Sequence, residues 1–437
     1  MNVLDKTFQD VFIESLPANW KLSRIKDLGK IYGRIGYRGY TTSDIVEEGK
    51  GALSISPGNI NNNLFTLKSK TFISWEKYYE SPEIMIFPKD IILVKTGSTI
   101  GKVSLIPNIE YKLTLNPQVV VLKKIKIDNS FFYYFLTTGY IKYLFECFQS
   151  GGATPAISQE KINNFVVGFP NDFSEQTAIA QYLKTKTQTI DKKVKLLEQK
   201  IQYYKELRKS IINKAVTKGL DDKVELKESG INWIGKIPKH WEIKRFKDSV
   251  KKYTTGATPS TSNRAFFEGT NDWICISDIS KDKYIFSSET KLTDDAIKSA
   301  NMVITPIGSL LYSFKLSIGK VAFAGKDVYT NEAILSIFPN KLIDLEYYYF
   351  MLPIFLYLQA TENIYGAKML NQKLISSAFV VNPPKNEQIQ IAQYLNEKIS
   401  VIDRIEKNIE IQITTFKELR KTLINNVVTG KIKVTND

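Results

Sequence analysis

Two stretches of the chain decide its fold because they are nearly the same: EQTAIAQYLKTKTQTIDKKVKLLEQKIQYYKELRK at residues 175–209 and EQIQIAQYLNEKISVIDRIEKNIEIQITTFKELRK at residues 387–421. Apolar residues recur every seven positions in both stretches, and neither contains Pro or Gly. This period predicts two long amphipathic helices that pair along an apolar seam. The residues predicted for the helix-pair interface are Leu183, Ile190, Leu197, Tyr204, Ile211, Leu395, Ile402, Ile409, Phe416 and Leu423.

The ends of both helices carry their own sequence signals. Polar residues at 171–175 and 386–387 suit an N-terminal cap and first turn, and Gly219 and Gly430 suit a C-terminal stop. Roughly 40 residues of helix make a rod of about 60 Å, which is too long for an ordinary packed helix in a globular domain. Two matching rods predict an antiparallel pair.

The composition limits the class of protein. With 437 residues, the chain is long enough for two or three hydrophobic cores. Its net charge of +15 indicates a polyanionic partner, although a generally Lys-rich proteome would produce the same excess. Two cysteines and one histidine are too few for a disulfide framework or a thiol and imidazole metal site, so we expect no metal and no cofactor. Neither a signal-like N-terminus nor an apolar stretch of membrane-spanning length occurs, which predicts a soluble, cytoplasmic protein without membrane contact.

The duplication extends beyond the two helices. The turns LPANW, ending at Trp20, and IPKHW, ending at Trp241, open two corresponding segments. Within them GSTIGKVSLI at 97–106 corresponds to KLSIGKVAFA at 315–324, and FVVGFP corresponds to FVVNPP shortly before each helix. The sequence between these landmarks differs. This pattern predicts two copies of one scaffold that carry different recognition surfaces.

Each segment has the pattern of an α+β domain. Short β-like runs alternate with two aromatic helices predicted at 130–145 and 345–360, whose rings we assign to the core rather than to base stacking. The β-like runs include DIILVK (90–95), PQVVVLK (117–123) and EAILSIF (332–338). The predicted fold class is α+β, with two pseudo-repeated globular α/β domains separated by a long antiparallel two-helix coiled coil. The predicted parts are a first domain at 1–172, a central helix at 173–219, a second domain at 220–385 and a C-terminal helix and tail at 386–437.

Three motifs resemble catalytic signatures, but each lacks a residue that the chemistry needs. GSTIGK has the wrong glycine spacing for a P-loop, and Val103 stands where a magnesium-binding hydroxyl belongs. NPPK ends in Lys385, which cannot stack on a flipped base as the aromatic residue of an adenine methyltransferase does. EYK at 110–112 could complete a nuclease triad, but the second segment has no equivalent. We therefore predict no catalytic residues and a chain that is not an enzyme.

At this point the residues carry a resemblance to a known family. ESGINWIGKIPKHW (228–241) lies between the halves, and GATPSTSN (256–263), DWICISDIS (272–280), SIGKVA (317–322) and PPKNEQIQIAQYL (383–395) follow in order. Together with the duplicated helices, this order resembles the specificity subunit of a type I restriction-modification system over nearly the whole chain. The first half departs from the pattern, because GRIGYRGYTTSD (33–44) replaces the Gly-x-Thr-Pro-Ser turn.

The resemblance implies a function as well as a fold. Family members carry two target-recognition domains, each of which reads one half of a split, asymmetric DNA site through the major groove. The paired helices fix the spacer between the half-sites and dock two methylation subunits, and restriction subunits complete the system. The implied partners are therefore double-stranded DNA, two methylation subunits and restriction subunits, with adenine methylation and ATP-driven cleavage supplied by those partners.

Candidate DNA contacts are polar residues in loops, because base edges are read by Arg, Asn, Gln, Ser and Thr while scattered Lys neutralises phosphates. The candidates in the first domain are Arg34, Tyr37, Arg38, Tyr40, Thr41, Asn59, Thr96, Ser98, Gln118 and Thr154. Those in the second domain are Thr258, Ser260, Ser262, Asn263, Arg264, Ser277, Lys315, Asn331, Lys368 and Asn371. A turn-forming or capping role explains any single one equally well. Trp20, Trp233 and Trp241 are instead predicted to be packing anchors where the domains join the helices.

Two other functions remain open at this stage. One is a coiled-coil adaptor whose charged domains bind proteins. The other is a specificity half detached from a fused restriction-methylation enzyme. A DNA reader differs from the adaptor in binding duplex DNA with an affinity that falls steeply as salt rises.

Overall fold

A computed structural model describes residues 12–280, 282–315, 317–362 and 368–434, except for the side chains of Tyr37 and Ser280. The chain divides into two compact units. Unit 1 contains Met1–Glu198 and Glu410–Asp437, and unit 2 contains Gln199–Ile409. Each unit therefore takes one part of both long helices.

Unit 1 is built on two four-stranded sheets. Its strands are β1 (Trp20–Arg24), β2 (Lys30–Gly33), β3 (Ile45–Val46), β4 (Gly51–Ile55), β5 (Ile60–Asn61), β6 (Leu64–Phe65), β7 (Phe72–Ser74), β8 (Ile91–Val94), β9 (Val103–Leu105), β10 (Leu113–Leu115), β11 (Val119–Lys123) and β12 (Val166–Pro170). The strand orders of the two sheets are β10-β4-β7-β3 and β2-β11-β8-β9. Its helices are α1 (Ile25–Leu28), α2 (Trp75–Tyr79), α3 (Asn129–Leu136), α4 (Gly139–Phe148), α5 (Gln159–Asn163) and the start of the long α6 (Phe173–Lys218).

Unit 2 repeats this plan with a five-stranded sheet and a three-stranded sheet. Its strands are β13 (Leu226–Glu228), β14 (Lys236–Pro238), β15 (Glu242–Arg245), β16 (Tyr253–Thr255), β17 (Asn271–Ile274), β18 (Tyr284–Ile285), β19 (Lys291–Leu292), β20 (Leu310–Ser313), β21 (Val321–Ala324), β22 (Tyr329–Thr330), β23 (Ile334–Ile337), β24 (Thr361–Glu362), β25 (Lys368–Met369) and β26 (Phe379–Asn382). The strand orders of the two sheets are β16-β23-β20-β21-β18 and β19-β17-β22. Its helices are α7 (Phe246–Ser249), α8 (Asp294–Ser299), α9 (Leu345–Leu358), α10 (Gln372–Ser377) and the start of the long α11 (Lys385–Val428).

The central strands are apolar on both faces because each separates two cores. In β8, Ile91 and Leu93 face the aromatic helices, whereas Ile92 and Val94 face the second sheet. Side chains alternate between the faces of a strand, so a continuous apolar run fits a strand that is buried on both sides. In β20, Leu310 and Leu311 divide between two cores in the same way.

The predicted aromatic helices lie in the core, as expected, but one boundary was wrong. The run predicted as one helix at 130–145 forms α3 and α4, separated at 137–138. Thr138 causes the break, because its hydroxyl accepts a hydrogen bond from the Ile141 backbone N–H and so caps a new helix. In unit 2 the corresponding run continues as α9 even though Pro353 lies inside it.

The two long helices pack together, as predicted, and they run antiparallel within each unit. In unit 1, Asp191 contacts Arg420 at 3.0 Å and Glu198 contacts Lys417 at 3.6 Å, so residue numbers rise along α6 as they fall along α11. In unit 2 the corresponding pair is Arg208 and Asp403. All ten residues of the predicted interface are buried or half-buried. A second row, four residues after the first in the heptad, includes the buried residues Val194, Ile399 and Ile413.

The same contacts join helix and domain in both units. The indole of Trp20 donates to Glu175 at 3.3 Å, and that of Trp241 donates to Glu387 at 2.8 Å. The first turn of each long helix is therefore bonded to the tryptophan of the unit in which that helix starts. Trp233 completes the predicted set of packing anchors with an edge-on contact to the Phe355 ring at 5.1 Å.

Both long helices end at a glycine that contacts a tryptophan. Gly219 has φ +75° and would place a Cβ 3.1 Å from the Trp241 ring; Gly430 has φ +71° and would place one 3.3 Å from the Trp20 ring. The positive φ favours glycine, and the close ring leaves little room for a side chain. The end of each helix thus belongs to the unit in which the other helix starts.

Candidate nucleic-acid interface

Four of the predicted residues of unit 1 lie on three loops that are held side by side. The backbone N–H of Gly97 donates to Pro155 O at 2.8 Å, and that of Lys95 donates to Gln118 O at 2.9 Å. These bonds place Thr96, Ser98, Gln118 and Thr154 on neighbouring loops. Ser98, Gln118 and Thr154 are exposed, and Thr96 is half-exposed.

An open cleft of about 510 Å³ runs along these loops. Thr96, Ser98 and Gln118 line it together with Lys68 and Lys102. Hydroxyl and amide groups can read base edges, and ammonium groups can contact phosphates. The sequence prediction missed the two lysines, because it assigned scattered Lys to phosphate contacts without choosing individual positions.

Two residues predicted to contact DNA are used inside the fold instead. Arg34 is only 4% exposed, and its guanidinium donates to Leu115 O, Arg38 O and Thr114 Oγ1 at 2.8 to 3.1 Å. Burial lowers the pKa of this guanidinium. Asn59 is 1% exposed; its side chain accepts from the Ser56 N–H and donates to two backbone carbonyls. Both residues have the right chemistry for a base edge, but the side chains point into the protein.

Arg34 still affects the candidate surface, because it supports the loop that carries the next candidates. Its guanidinium lies 5.5 Å from the Tyr40 ring centroid. The Tyr40 hydroxyl accepts hydrogen bonds from Ser54 and Asn116. Thr41 caps a short turn by donating its backbone N–H to Asp44 at 2.7 Å.

The remaining candidates of this loop differ in what the structure shows. Arg38 lies 3.6 Å from Glu83 in an ion pair. The side chain of Tyr37 lies outside the described residues. DNA contact by Tyr40, Thr41 and Arg38 stays a prediction.

In unit 2 the predicted residues of the 258–264 loop lie next to the turn that precedes β23. The Thr258 hydroxyl donates to the Glu332 carboxylate, and Ser260 and Ser262 bond each other at 2.8 Å. Asn263 and Arg264 follow at the start of a short 3-10 turn. The loop can lie this close to the turn because residue 256 is a glycine. A Cβ at this position would lie 1.8 Å from Thr330 O, so any other residue would clash.

The other candidates of unit 2 occupy separate turns. Asn331 accepts from the Ala333 N–H at 3.1 Å, Asn371 caps α10 through Leu374, and Lys368 pairs with Glu362 at 2.9 Å. The remaining two, Lys315 and Ser277, have exposed side chains. Direct base contact by any of these residues stays a prediction.

Comparison of the units reveals a residue that the prediction missed. Asn116 begins the turn before β11 as Asn331 begins the turn before β23: the side-chain oxygen of each accepts a backbone N–H two residues later. Only Asn331 was predicted. Aligning NPQ at 116–118 with NEA at 331–333 would have identified the pair.

The cysteine near the loops of unit 2 is not set up as a nucleophile. Burial raises the pKa of Cys275 to about 11, so its thiol is a poor nucleophile at neutral pH. Across the ranges that the structure describes, no group of three or more His, Cys, Asp or Glu residues could hold a metal ion. No helix in those ranges is long and apolar enough to cross a membrane.

The family model and the relatives that match this chain agree on one family. The family model described as type I restriction modification DNA specificity domain matches twice, at residues 17–202 and 238–415. The specificity subunit of the type I restriction enzyme MjaIX from Methanocaldococcus jannaschii is 30% identical over 193 residues, which are 43% of this chain and 44% of that protein. The MjaVIII specificity subunit of the same organism is 23% identical over 99% of this chain and 97% of its own length.

A solved structure shares the fold. It comes from work on complex assembly and conformational transition of the type I R-M system, and one of its chains superposes with a TM-score of 0.71. The match covers 95% of this chain and 99% of that chain at 14% identity. The first relative, by contrast, is matched over less than half of its length.

Proposed function

The chain belongs to the type I restriction modification DNA specificity family, and we propose that it is the DNA-reading subunit of such a system, with each domain reading one half of a split, asymmetric site. One observation carries the proposal. The framework contacts are the same in both units, whereas the loops that form the candidate surfaces differ. Conserved anchoring with divergent loops is the arrangement expected of two readers with different targets.

The two loop surfaces differ in the chemistry that they offer to DNA. Unit 1 offers Gln118, an amide that can contact adenine in a bidentate manner, beside the hydroxyl of Ser98. Unit 2 offers Arg264, which can contact guanine, beside the hydroxyls of Ser260 and Ser262. Two surfaces with different donors and acceptors favour an asymmetric site. We assign these readers to the major groove, where the four base pairs are distinguishable.

The charge of the chain supports DNA as the partner, and it supplies the first experiment. A net charge of +15 favours a polyanion. We expect the purified chain to bind random duplex DNA at low salt, with log K falling linearly against log salt by about 0.9 per phosphate contact. A protein-binding adaptor would show no such binding, and that result would refute the DNA-reading function.

Catalysis in this proposal belongs to partner subunits. Two methylation subunits dock on the paired helices α6 and α11, and restriction subunits join the complex, all acting on DNA in the cytoplasm. The purified chain alone is expected neither to methylate nor to cut DNA. Turnover of S-adenosylmethionine by the chain alone, after separation from any methylation subunit, would contradict this division of work.

Exchange of one domain tests the modular reading. Replacing residues 21–170 with the corresponding region of another family member should change one half-site and leave the other unchanged, because the two units have separate cores. Methylation mapping of the reconstituted complex reads both half-sites at once. A change in both half-sites would mean that the domains do not read independently.

A further inference from the structure

The two units differ at the place where the aromatic helix meets the paired helices, and none of the predicted DNA contacts lines this place in unit 1. Asp128 caps α3 and Asp344 caps α9, so the two helices align from these residues. In this alignment Ser130 corresponds to Glu346. The duplicated long helices likewise align Lys184 of α6 with Asn396 of α11.

In unit 2 this place is filled by a lysine of the same chain. The Lys283 ammonium lies 2.5 Å from Glu346 and 2.8 Å from Asn396. Four aromatic rings surround it, with centroids 5.1 to 5.9 Å from Nζ. The Tyr284 hydroxyl donates to Glu346 at 3.1 Å and completes the cluster. The ammonium thus has a carboxylate, an amide and aromatic faces as partners.

In unit 1 the same place is a pocket of about 300 Å³. We call it the α3 pocket; it is lined by Phe65, Ser104, Ile106, Ser130, Lys184 and Arg420, among others. Ser130 has a hydroxyl and no carboxylate, so unit 1 lacks the group that Glu346 supplies in unit 2. The lysine also lies on a different element: it is Lys184 on the long helix in unit 1, whereas it is Lys283 on a loop in unit 2.

Several polar groups of the α3 pocket are left without a matching partner. Lys184 is exposed at the edge of the pocket, and its ammonium forms no ion pair with a carboxylate in the described part of the chain. Ser104 is fully buried, and its hydroxyl makes no hydrogen bond with any described residue. Arg420 lies 3.0 Å from Asp191, which balances its charge, but Nε does not form a hydrogen bond there.

The rest of the lining decides what kind of molecule fits. Phe65, Leu105 and Ile106 provide an apolar wall, so most of the accessible lining is apolar, and Lys184, Asp191 and Arg420 supply its charged groups. Sites of this type bind ligands whose apolar part is buried while a polar group fixes the orientation. The lining carries two cations, Lys184 and Arg420, against one carboxylate, Asp191, and this excess of positive charge favours an anionic polar group.

We infer that the α3 pocket binds a carboxylate attached to a small apolar body, with the carboxylate beside Lys184 and the apolar body against Phe65 and Ile106. The bound carboxylate takes the place that Glu346 occupies in unit 2. A free organic acid and a glutamate side chain of a bound polypeptide both present this chemistry. The inference concerns unit 1 alone and does not depend on what DNA the chain reads.

Titration of the full chain with sodium benzoate tests the pocket, and benzamide is the neutral control of the same shape. We expect benzoate to bind and benzamide to bind at least about tenfold more weakly, since hydrogen bonds to charged groups contribute more than neutral ones. A blocked Phe–Glu dipeptide and its Phe–Gln counterpart distinguish a polypeptide source from a free acid. Preference for the dipeptide over benzoate indicates the former, and the reverse indicates the latter.

Two variants locate the binding. Lys184→Met should weaken benzoate binding about tenfold or more, whereas Lys192→Met should leave it unchanged, because Lys192 is an equally exposed lysine of the same helix that does not line the pocket. Ser130→Glu copies unit 2 by placing a carboxylate in the pocket, so it should abolish benzoate binding and raise the melting temperature. The new glutamate lies in the first turn of α3, where a negative charge is favourable.

Absence of benzoate binding, equal affinity for benzamide, or retained binding by Lys184→Met or Ser130→Glu would each overturn the inference. Circular dichroism and melting curves show whether each variant is folded. Binding of duplex DNA is measured on the same preparations. A folded chain that binds DNA and not benzoate would sink the pocket and leave the proposed function standing.

Discussion

Replacement of Gln388 by Ala should destabilise unit 2 by an amount that can be worked out from its contacts. This side chain is 1% exposed at the start of α11. Its oxygen accepts the Asp344 N–H at 2.8 Å, and its nitrogen donates to Pro383 O at 2.9 Å. Alanine leaves both backbone groups without these partners, and a buried unsatisfied group costs about 1–3 kcal/mol. Because water can partly reach Asp344, we expect a loss of about 2–4 kcal/mol.

The chain contains its own replicate of this experiment. Gln176 is 3% exposed at the start of α6; it accepts the Asp128 N–H at 2.8 Å and donates to Pro170 O at 2.8 Å. Gln176→Ala should therefore lower the free energy of unfolding of unit 1 by a similar amount. In both units the glutamine ties the first turn of the long helix to the cap of the aromatic helix.

Urea unfolding followed by tryptophan fluorescence measures the loss. Gln181→Ala and Gln393→Ala are matched controls, because both residues are exposed on the same helices five residues further along. Controls of this kind change stability by about 0.5 kcal/mol or less. If Gln388→Ala or Gln176→Ala behaved like its control, the two hydrogen bonds would not be holding helix and domain together.

Three further changes follow from single contacts. Gly430→Ala should destabilise the chain by at least about 1–2 kcal/mol, because an alanine at a φ of +71° is strained. The new Cβ, 2.2 Å from the Pro17 ring, should add to this loss. Gly36→Ala is the control in thermal unfolding and should be neutral, because a Cβ there meets no atom within 4 Å. Arg34→Lys should relax selectivity at one half-site in methylation mapping, since lysine cannot bond Arg38 O, Thr114 and Leu115 O at once and so link the 38–41 loop to β10; unchanged selectivity would argue against that support. In a variant that keeps only Cys275, thiolate absorbance should rise with a midpoint near pH 11, above the ordinary thiol pKa of 9.0. Because the thiol of the unfolded chain loses its proton first, the contribution of this group to stability falls as the pH rises from about 9 to 11.

The helices were predictable from the sequence because their signals are local and repeated. The seven-residue period, the absence of Pro and Gly, and the stops at Gly219 and Gly430 all depend on neighbours along the chain. The helix break within the aromatic run at 130–145 was harder to predict. Whether Thr138 lies inside a helix or caps a new one depends on the Ile141 N–H, and residue type alone does not decide between the two.

The candidate DNA contacts show the limit of reasoning from residue type. Arg34 and Asn59 have ideal groups for a base edge, yet both are buried and bonded inside the protein, Arg34 to Leu115, which is 81 residues away, and Asn59 to Ser69, which is ten residues away. Thr96, Ser98 and Gln118 are brought together only by long-range backbone bonds. Asp278 corresponds to Asn59 in unit 2, where it accepts the Cys275 N–H at 2.8 Å. A turn kept in both units is better explained by folding than by recognition.

The duplicated framework explains how one scaffold can carry two different surfaces. Each unit is anchored by a tryptophan, a glutamate and a glutamine at the start of a long helix, and by a glycine at the end of the other. None of these contacts involves the loops of the candidate DNA surface. Those loops are held by other means, through Arg34 in unit 1 and through Glu332 in unit 2. Substitutions on the candidate DNA surface therefore leave the anchors intact, so the two surfaces are free to diverge while the helix-to-domain joint stays the same.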